Sequence, residues 1–561
     1  MNERTTGEAI VDTLIANGVD TVFGLPGVQT YALFDALYRR RDVIRTIGAR
    51  HEQTLAYMAF GYARSSGRLG VYAPVPGPGV LNTAAAMCTA SGACAPTLCI
   101  TGEVPSDFRG KGRGHLHELA DQLGILRRLT RHAQHIERPR DAPAAINQAI
   151  AAAMGGRPGP AAVSVCWDTL GKSTAITRCG AAAIPAAPPA DDAQVSHCVQ
   201  LIREARHPMI FVGSGAQHAA PVVQALAQRL QAPVVAYRGG RGIVGQDRPL
   251  GLDVAAAWHL WSEVDLMIGI GTRLEIPFMR WGSMMRAQRA LPGRKLIRID
   301  IDPAEMDKLD TDGPLLADAE KGVRALVAAL DATGYAAGGD SGQIARAKER
   351  AAIEIRRVQP QMDYLDVIRE VLPRDGFLVE ELCQVGFTSH FGWPVYEPRT
   401  YVSCGHQGTL GFGFPTALGV KVAHPDRAVV SITGDGGFMF AMPDLSTAAQ
   451  YGIGVVTIVF DNCAFENVRR DQQRRFGGRE IGSRLINPDF HDLAGTFGIA
   501  AYRVASPAAL RPALQEALAL RAPALIHVKV APATEVSPWT FIDRRPDATG
   551  APRRSPPPGG L

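Results

Sequence analysis

Two apolar runs in the last third of the chain end in oxygen-bearing side chains. Val429-Val430-Ser431-Ile432-Thr433 leads into Gly434-Asp435-Gly436-Gly437-Phe438, and Val455-Val456-Thr457-Ile458-Val459-Phe460 leads into Asp461-Asn462. If the runs are parallel strands of one sheet, Asp435 and Asn462 meet at its carboxyl edge, where α/β folds bind ligands. Hard oxygen donors of this type suit Mg²⁺, and Gly434, Gly436 and Gly437 let the backbone approach a phosphate. The plainer reading makes Gly-Asp-Gly a turn and Asn462 a helix cap. The paired spacing is what favours a site.

Further candidates lie elsewhere. Glu52 follows Arg50-His51 at the start of a helical stretch that runs through Arg64, and Pro76-Gly77-Pro78-Gly79-Val80-Leu81-Asn82 is a glycine-rich turn. Gly112-Arg113-Gly114-His115-Leu116-His117-Glu118 offers two imidazoles that either relay protons near neutral pH or decorate a surface loop. After Asn462 come Cys463-Ala464-Phe465-Glu466-Asn467-Val468-Arg469-Arg470-Asp471. Those arginines either bind a substrate carboxylate or acyl-CoA phosphate, or form a solvated helix face with Asp471.

The elements that must position these residues read as three α/β units. A helix over 5–18, a strand at Thr21-Val22-Phe23, the turn Gly24-Leu25-Pro26-Gly27, and strands at 70–74, 97–101 and 161–166 place a first domain at 1–170. A Pro- and Ala-rich linker follows at 171–190. Strand-like runs at 209–212, 234–237, 266–270 and 296–300 give a central domain at 191–345, in which Gly213-Ser214-Gly215 is only a fragment of a nucleotide fingerprint. That domain is expected to be structural, without a cofactor of its own. A charged helix is expected over 343–357, a third domain over 360–545, and a disordered tail over 546–561.

Composition narrows the classes. With 561 residues, 46% of them hydrophobic, the chain is long enough for about three cores. The excess of 59 Lys and Arg over 54 Asp and Glu is small and scattered, so no nucleic-acid partner is expected. The nine cysteines contain no CxxC pair and read as free thiols. No apolar stretch reaches membrane-spanning length, and the first ten residues lack a leader's apolar segment, so no membrane partner and a cytoplasmic location are expected.

Over nearly the whole length, these motifs resemble the thiamine diphosphate-dependent family of acetolactate synthases, benzoylformate decarboxylases, benzaldehyde lyases and related enzymes. The resemblance implies three mostly parallel α/β domains. It implies that Asp435, Asn462 and the Ala464 carbonyl hold Mg²⁺, which bridges to the diphosphate cradled by Gly434, Gly436 and Gly437. Glu52 corresponds to the glutamate that activates the aminopyrimidine, with Pro76, Gly77 and Asn82 near the cofactor. In Gly408-Thr409-Leu410-Gly411-Phe412-Gly413-Phe414-Pro415, the Gly408 carbonyl receives the 4′-amino group and Leu410 wedges the cofactor into its bent form.

The implied reaction is decarboxylation of a 2-oxoacid and carboligation of the enamine to a second carbonyl. Alternatives are a non-ligating 2-oxoacid or acyl-CoA decarboxylase, a hydroxyketone lyase, a C–C hydrolase, or a non-catalytic cofactor-binding protein. His117 stands where relatives carry a glutamine, which makes His117 and His115 candidate catalytic groups, and Pro26, Gly27, Glu466, Arg470 and Asp471 are candidate pocket residues. Acetolactate synthases have a tryptophan at the position of Asp471, a departure that weakens assignment to branched-chain amino acid synthesis. FAD stays open: Gly239-Gly240-Arg241-Gly242 echoes the flavin-binding branch, while Leu252–Trp258 lacks its Gly-Met-His-Gly. A homodimer or homotetramer is implied, because the activating glutamate serves cofactor held by another subunit.

Overall fold

A strand buried at every position needs cover on both faces, as in a parallel sheet between helix layers. Thr97–Glu103, Ala161–Cys166, Leu266–Ile270, Val429–Gly434 and Val456–Asp461 are buried throughout. In the computed structural model, which describes residues 3–281, 293–336 and 341–544, these runs are interior strands of three six-stranded sheets flanked by helices. Within each of these sheets every pairing is parallel.

The first sheet runs Arg45–Ile47, Thr21–Gly24, Gly70–Ala73, Thr97–Glu103, Ala161–Cys166, His132–Ile136. The third runs Tyr401–Val402, Phe377–Glu380, Val429–Gly434, Val456–Asp461, Ala524–Lys529, Ala500–Val504. Numbered from their own first strands, both have the order 2-1-3-4-6-5. The middle sheet (Gly251–Leu252, Val234–Ala236, Pro208–Val212, Leu266–Ile270, Lys295–Asp300, Gly313–Leu316) has the order 3-2-1-4-5-6. That is the dinucleotide-binding order, with its crevice between the first and fourth strands.

The outer domains share a core. Helix Glu52–Ser66 of the first packs on helix Gly413–Ala423 of the third, and two glycines bring their backbones into contact. A Cβ on Gly61 would stand 2.1 Å from the Thr416 carbonyl oxygen, and one on Gly419 would stand 1.9 Å from that of Met58. Phe60 and Phe412 meet edge to face in the same buried cluster, at 5.5 Å between centroids. The helix that bears Glu52 is thereby fixed to the domain that bears Asp435.

Several local details depart from the sequence pattern. Thr5 and Glu8 form a capping box, so the opening helix is Thr6–Ala16. Part of the expected linker is ordered: Ser173–Ala175 pairs antiparallel with Glu3–Thr5. The charged helix spans Ser341–Ile355, starting two residues earlier than its charge pattern indicates. The edge strands Arg45–Ile47 and His132–Ile136 carry no sequence signal because they are short or half-buried and polar. The tail at 546–561 lies outside the described residues. All nine cysteines are free, and among the described residues no helix is long and apolar enough to cross a membrane.

Candidate active site

The register of the third sheet pairs Gly434 with Phe460, so the segments beginning at Asp435 and Asp461 leave its carboxyl edge side by side. Asp435 is 2% exposed and opens a single helical turn, Asp435–Phe438. One amide joins the two carboxylates: Asn487 Nδ2 donates to Asp435 Oδ2 at 2.7 Å and to Asp461 Oδ1 at 2.9 Å. Burial and the Asp461 charge push the Asp435 carboxyl up. Against the penalty of burial, His527, Lys529 and Asn487 hold Asp461 down. Asn462 Nδ2 donates to Glu535 Oε2 at 2.8 Å, and the Ala464 amide donates to Asn462 Oδ1 at 3.2 Å. Burial raises the Glu535 carboxyl to about 7.

The glycines beside Asp435 are a steric necessity. A Cβ on Gly436 would lie 2.3 Å from the Phe465 ring, and one on Gly437 would lie 2.3 Å from Glu381 Oε1. Glu381 is enclosed. It accepts from the Gly411 amide at 2.5 Å, the Gly413 amide at 3.0 Å and the Thr433 hydroxyl at 2.9 Å. One carboxylate therefore ties the Gly408–Gly413 loop, including half-buried Leu410, to the strand that delivers Asp435.

A second constellation forms at the carboxyl edge of the first sheet. Glu52 opens its helix behind the His51 cap and accepts at Oε2 from Asn82 Nδ2 at 3.0 Å. Gly77 has φ +62°, and a Cβ there would meet the His117 carbonyl oxygen at 2.4 Å. A Cβ on Gly79 would lie 3.5 Å from Glu52 Oε1, so Pro76–Asn82 runs between Glu52 and His117. The Pro26-Gly27 turn adjoins it, since a Cβ on Gly27 would meet Val75 Cγ1 at 2.3 Å. His115 is not drawn in: its ring packs on Phe108 with centroids 5.0 Å apart, and its Nδ1 lies 3.4 Å from the Leu116 carbonyl.

Helix Glu466–Arg475 divides the remaining candidates. Glu466 is buried and takes Arg469 Nε at 2.8 Å and Arg470 Nε at 3.0 Å. Arg470 also donates to Gln384 Oε1 and to the Glu535 carbonyl, which links it to Asn462. Asp471 does not join this cluster. Its side chain is 50% exposed and pairs with Arg475 at 3.6 Å.

Comparison with known proteins matches this arrangement. Residues 4–125 match the thiamine pyrophosphate enzyme N-terminal TPP binding domain, residues 195–326 its central domain, and residues 383–528 its C-terminal TPP binding domain. A probable acetolactate synthase large subunit of Methanocaldococcus jannaschii is 32% identical over 94% of this chain and 92% of its own length. The chain belongs to the thiamine pyrophosphate enzyme family. Further relatives of this thiamine diphosphate enzyme include a probable 2-ketoarginine decarboxylase of Pseudomonas aeruginosa, 33% identical over 88% of this chain and 89% of the relative. The acetolactate synthase isozyme 1 large subunit of Escherichia coli is 28% identical over 96% of both.

The residues of this thiamine diphosphate enzyme fit the cofactor. The buried Asp435 carboxyl takes its hydrogen bonds from amides and is a hard-oxygen donor that would suit a cation if one binds. Asn487, Glu535 and Glu381 join the site without having been singled out by the sequence motifs. Glu381 does carry a signal, ending an apolar run as Asp435 does, but Asn487 and Glu535 lie in irregular segments. A separate cavity of about 460 Å³ lies at the crevice of the middle sheet, lined by Gly213, Gly215, Arg238, Gly271, Arg273 and Asp300. The segment Leu252–Trp258 does not line it; Asp253 caps helix Val254–Leu260, whose apolar side chains enter the core.

Proposed function

We propose that the chain decarboxylates a 2-oxoacid with thiamine diphosphate and Mg²⁺ and joins the retained acyl carbon to a second carbonyl, as an acetolactate synthase does. The observation that carries the cofactor part of this reading is two complementary half-sites, Glu52 with Asn82, and Asp435 and Asn462 at the ends of adjoining strands. Bound thiamine diphosphate would supply a carbon nucleophile and a cationic ring that takes up the electron pair left on the substrate carbon as CO₂ departs. Asp435, Asn462 and the Ala464 carbonyl would hold the metal. Glu52, oriented by the Asn82 amide, would stand by the aminopyrimidine to exchange a proton with it, the Gly408 carbonyl would receive its amino group, and Leu410 would pack against the cofactor. The acetolactate synthase relatives support the ligating step.

In this reading each Glu52 serves cofactor held by a second copy of the chain, in a homodimer or a dimer of dimers. Support comes from exposed apolar side chains beside both half-sites. Leu81 adjoins Asn82 and is 43% exposed, and Ile486 adjoins Asn487 and is fully exposed in the single chain.

A second reading ends with protonation and release of an aldehyde, and a specific observation favours it. An acceptor 2-oxoacid brings a second carboxylate, but Glu466 already engages both Arg469 and Arg470. Incubating the protein with thiamine diphosphate, Mg²⁺ and a panel of 2-oxoacids, with and without aldehyde acceptors, separates the readings by mass spectrometry. Acetolactate from pyruvate supports ligation, aldehyde with CO₂ supports the second reading, and no CO₂ from any member refutes both.

A further inference from the structure

His117 stands beside the Gly77 turn in an uncommon backbone conformation for a non-glycine residue, φ 65°. Its Nδ1 lies 3.0 Å from Gln29 Oε1. Gln29 is wholly buried, and its Nε2 donates to the Leu116 carbonyl at 2.8 Å. A carbonyl only accepts, so the amide group facing Leu116 must be the NH₂, and the group facing His117 must be the oxygen. Turned over, the amide would set Oε1 against the Leu116 carbonyl oxygen, two acceptors with no proton between them. The Gln29 backbone is equally confined: a Cβ on Gly102 would meet the Gln29 carbonyl oxygen at 2.4 Å.

An oxygen that only accepts requires a proton on the nitrogen opposite. We propose that Gln29 is a positioning residue that holds His117 in its Nδ1–H tautomer and makes Nε2 the proton-accepting atom of this edge of the site. This rests on the reading above, in which the Glu52–Gly77–His117 edge faces the cofactor. Among the described residues the His117 ring makes its hydrogen bond at Nδ1 alone, which leaves Nε2 open to a reacting group. The Nδ1–H···Oε1 bond is the same whether the ring is neutral or charged. Proton uptake and release at Nε2 therefore need no rearrangement of the loop, and the proton taken at Nε2 leaves from the same atom.

The test is ¹⁵N magic-angle-spinning spectroscopy of histidine-labelled, thiamine diphosphate-loaded protein, with His117→Asn identifying the signal. The neutral ring should show a protonated Nδ1 and a bare Nε2, and Gln29→Leu should move a substantial fraction to the opposite tautomer. A wild-type ring already protonated at Nε2, or a Gln29→Leu spectrum unchanged from wild type, overturns the assignment. The wild-type measurement stands even if Gln29→Leu folds poorly. With the 2-oxoacid found by the panel, Gln29→Leu should lower kcat by the fraction of ring lost from the Nδ1–H form, at nearly constant KM. His117→Asn should cost about a hundredfold or more in kcat. An unchanged kcat in His117→Asn refutes the proton-transfer role of His117, while the tautomer spectra still decide the role of Gln29.

Discussion

Replacing Glu381 by Gln tests whether one buried carboxylate holds the cofactor loops. Its three partners are all donors: the Gly411 amide at 2.5 Å on Oε1, and the Gly413 amide at 3.0 Å and the Thr433 hydroxyl at 2.9 Å on Oε2. A glutamine offers one acceptor and one NH₂. Turned one way, its NH₂ faces the Gly411 amide. Turned the other way it faces Gly413, while Thr433 can rotate to donate to the Gly434 carbonyl at 3.1 Å. Either orientation strands one backbone N–H where water cannot reach, at a cost of about 1–3 kcal/mol. Because the stranded group lies in the loop that carries Leu410, the cost should fall on the cofactor, raising the Kd for thiamine diphosphate by roughly 5- to 150-fold in calorimetric titration at saturating Mg²⁺ above pH 7, where the wild-type carboxyl is ionised. The same residue predicts a pH signature. Burial raises its carboxyl from 4.5 to about 7, so ionising it opposes the folded state. Its contribution to stability is therefore fully present below pH 4.5 and is lost, by about 3 kcal/mol, as pH rises to 7. The glutamine of the variant cannot ionise, so wild-type stability should fall across that window relative to that of Glu381→Gln. A Kd within twofold of wild type, with a pH-independent difference in melting temperature, would refute the reasoning.

Three further outcomes follow from the geometry. Glu52→Gln should slow exchange of the thiamine C2 proton by at least tenfold, followed by NMR in D₂O, while leaving cofactor affinity within a few-fold of wild type; unchanged exchange would remove Glu52 from its assigned role. Asp435→Ala should abolish Mg²⁺-dependent cofactor binding, and wild-type affinity by calorimetry would overturn the metal assignment. Gly419→Val places a Cβ within 1.9 Å of the Met58 carbonyl, forcing apart the helices that join the outer domains. It should lower the melting temperature by several degrees, a clash of this kind costing about 1–3 kcal/mol. An unchanged melting curve would show that the two helices part easily.

What can be read from sequence depends on how far a residue's role reaches along the chain. The Gly434-Asp435-Gly436 turn announces itself because its glycines are required by neighbours that press directly on the backbone, Cys383 on Gly434 and Phe465 on Gly436. The three parallel sheets are legible for a similar reason, since interior strands buried on both faces read as unbroken apolar runs. Edge strands such as His132–Ile136 carry no such mark. The electrostatics of the pocket is a different matter. Arg469 and Arg470 read as a cationic patch awaiting an anion, yet Glu466 engages both, Glu480 lies 3.6 Å from Arg469, and the Glu535 carbonyl accepts from Arg470 across 65 residues. Asp471, four residues before Arg475, takes the solvent side instead. Two arginines against the carboxylates of Glu466 and Glu480 cancel the positive charge expected from the run alone. The charge that this end of the pocket presents is thus set partly by helical pairings three and four residues away, which sequence spacing shows, and partly by the longer-range contacts to Glu480 and Glu535, which it does not.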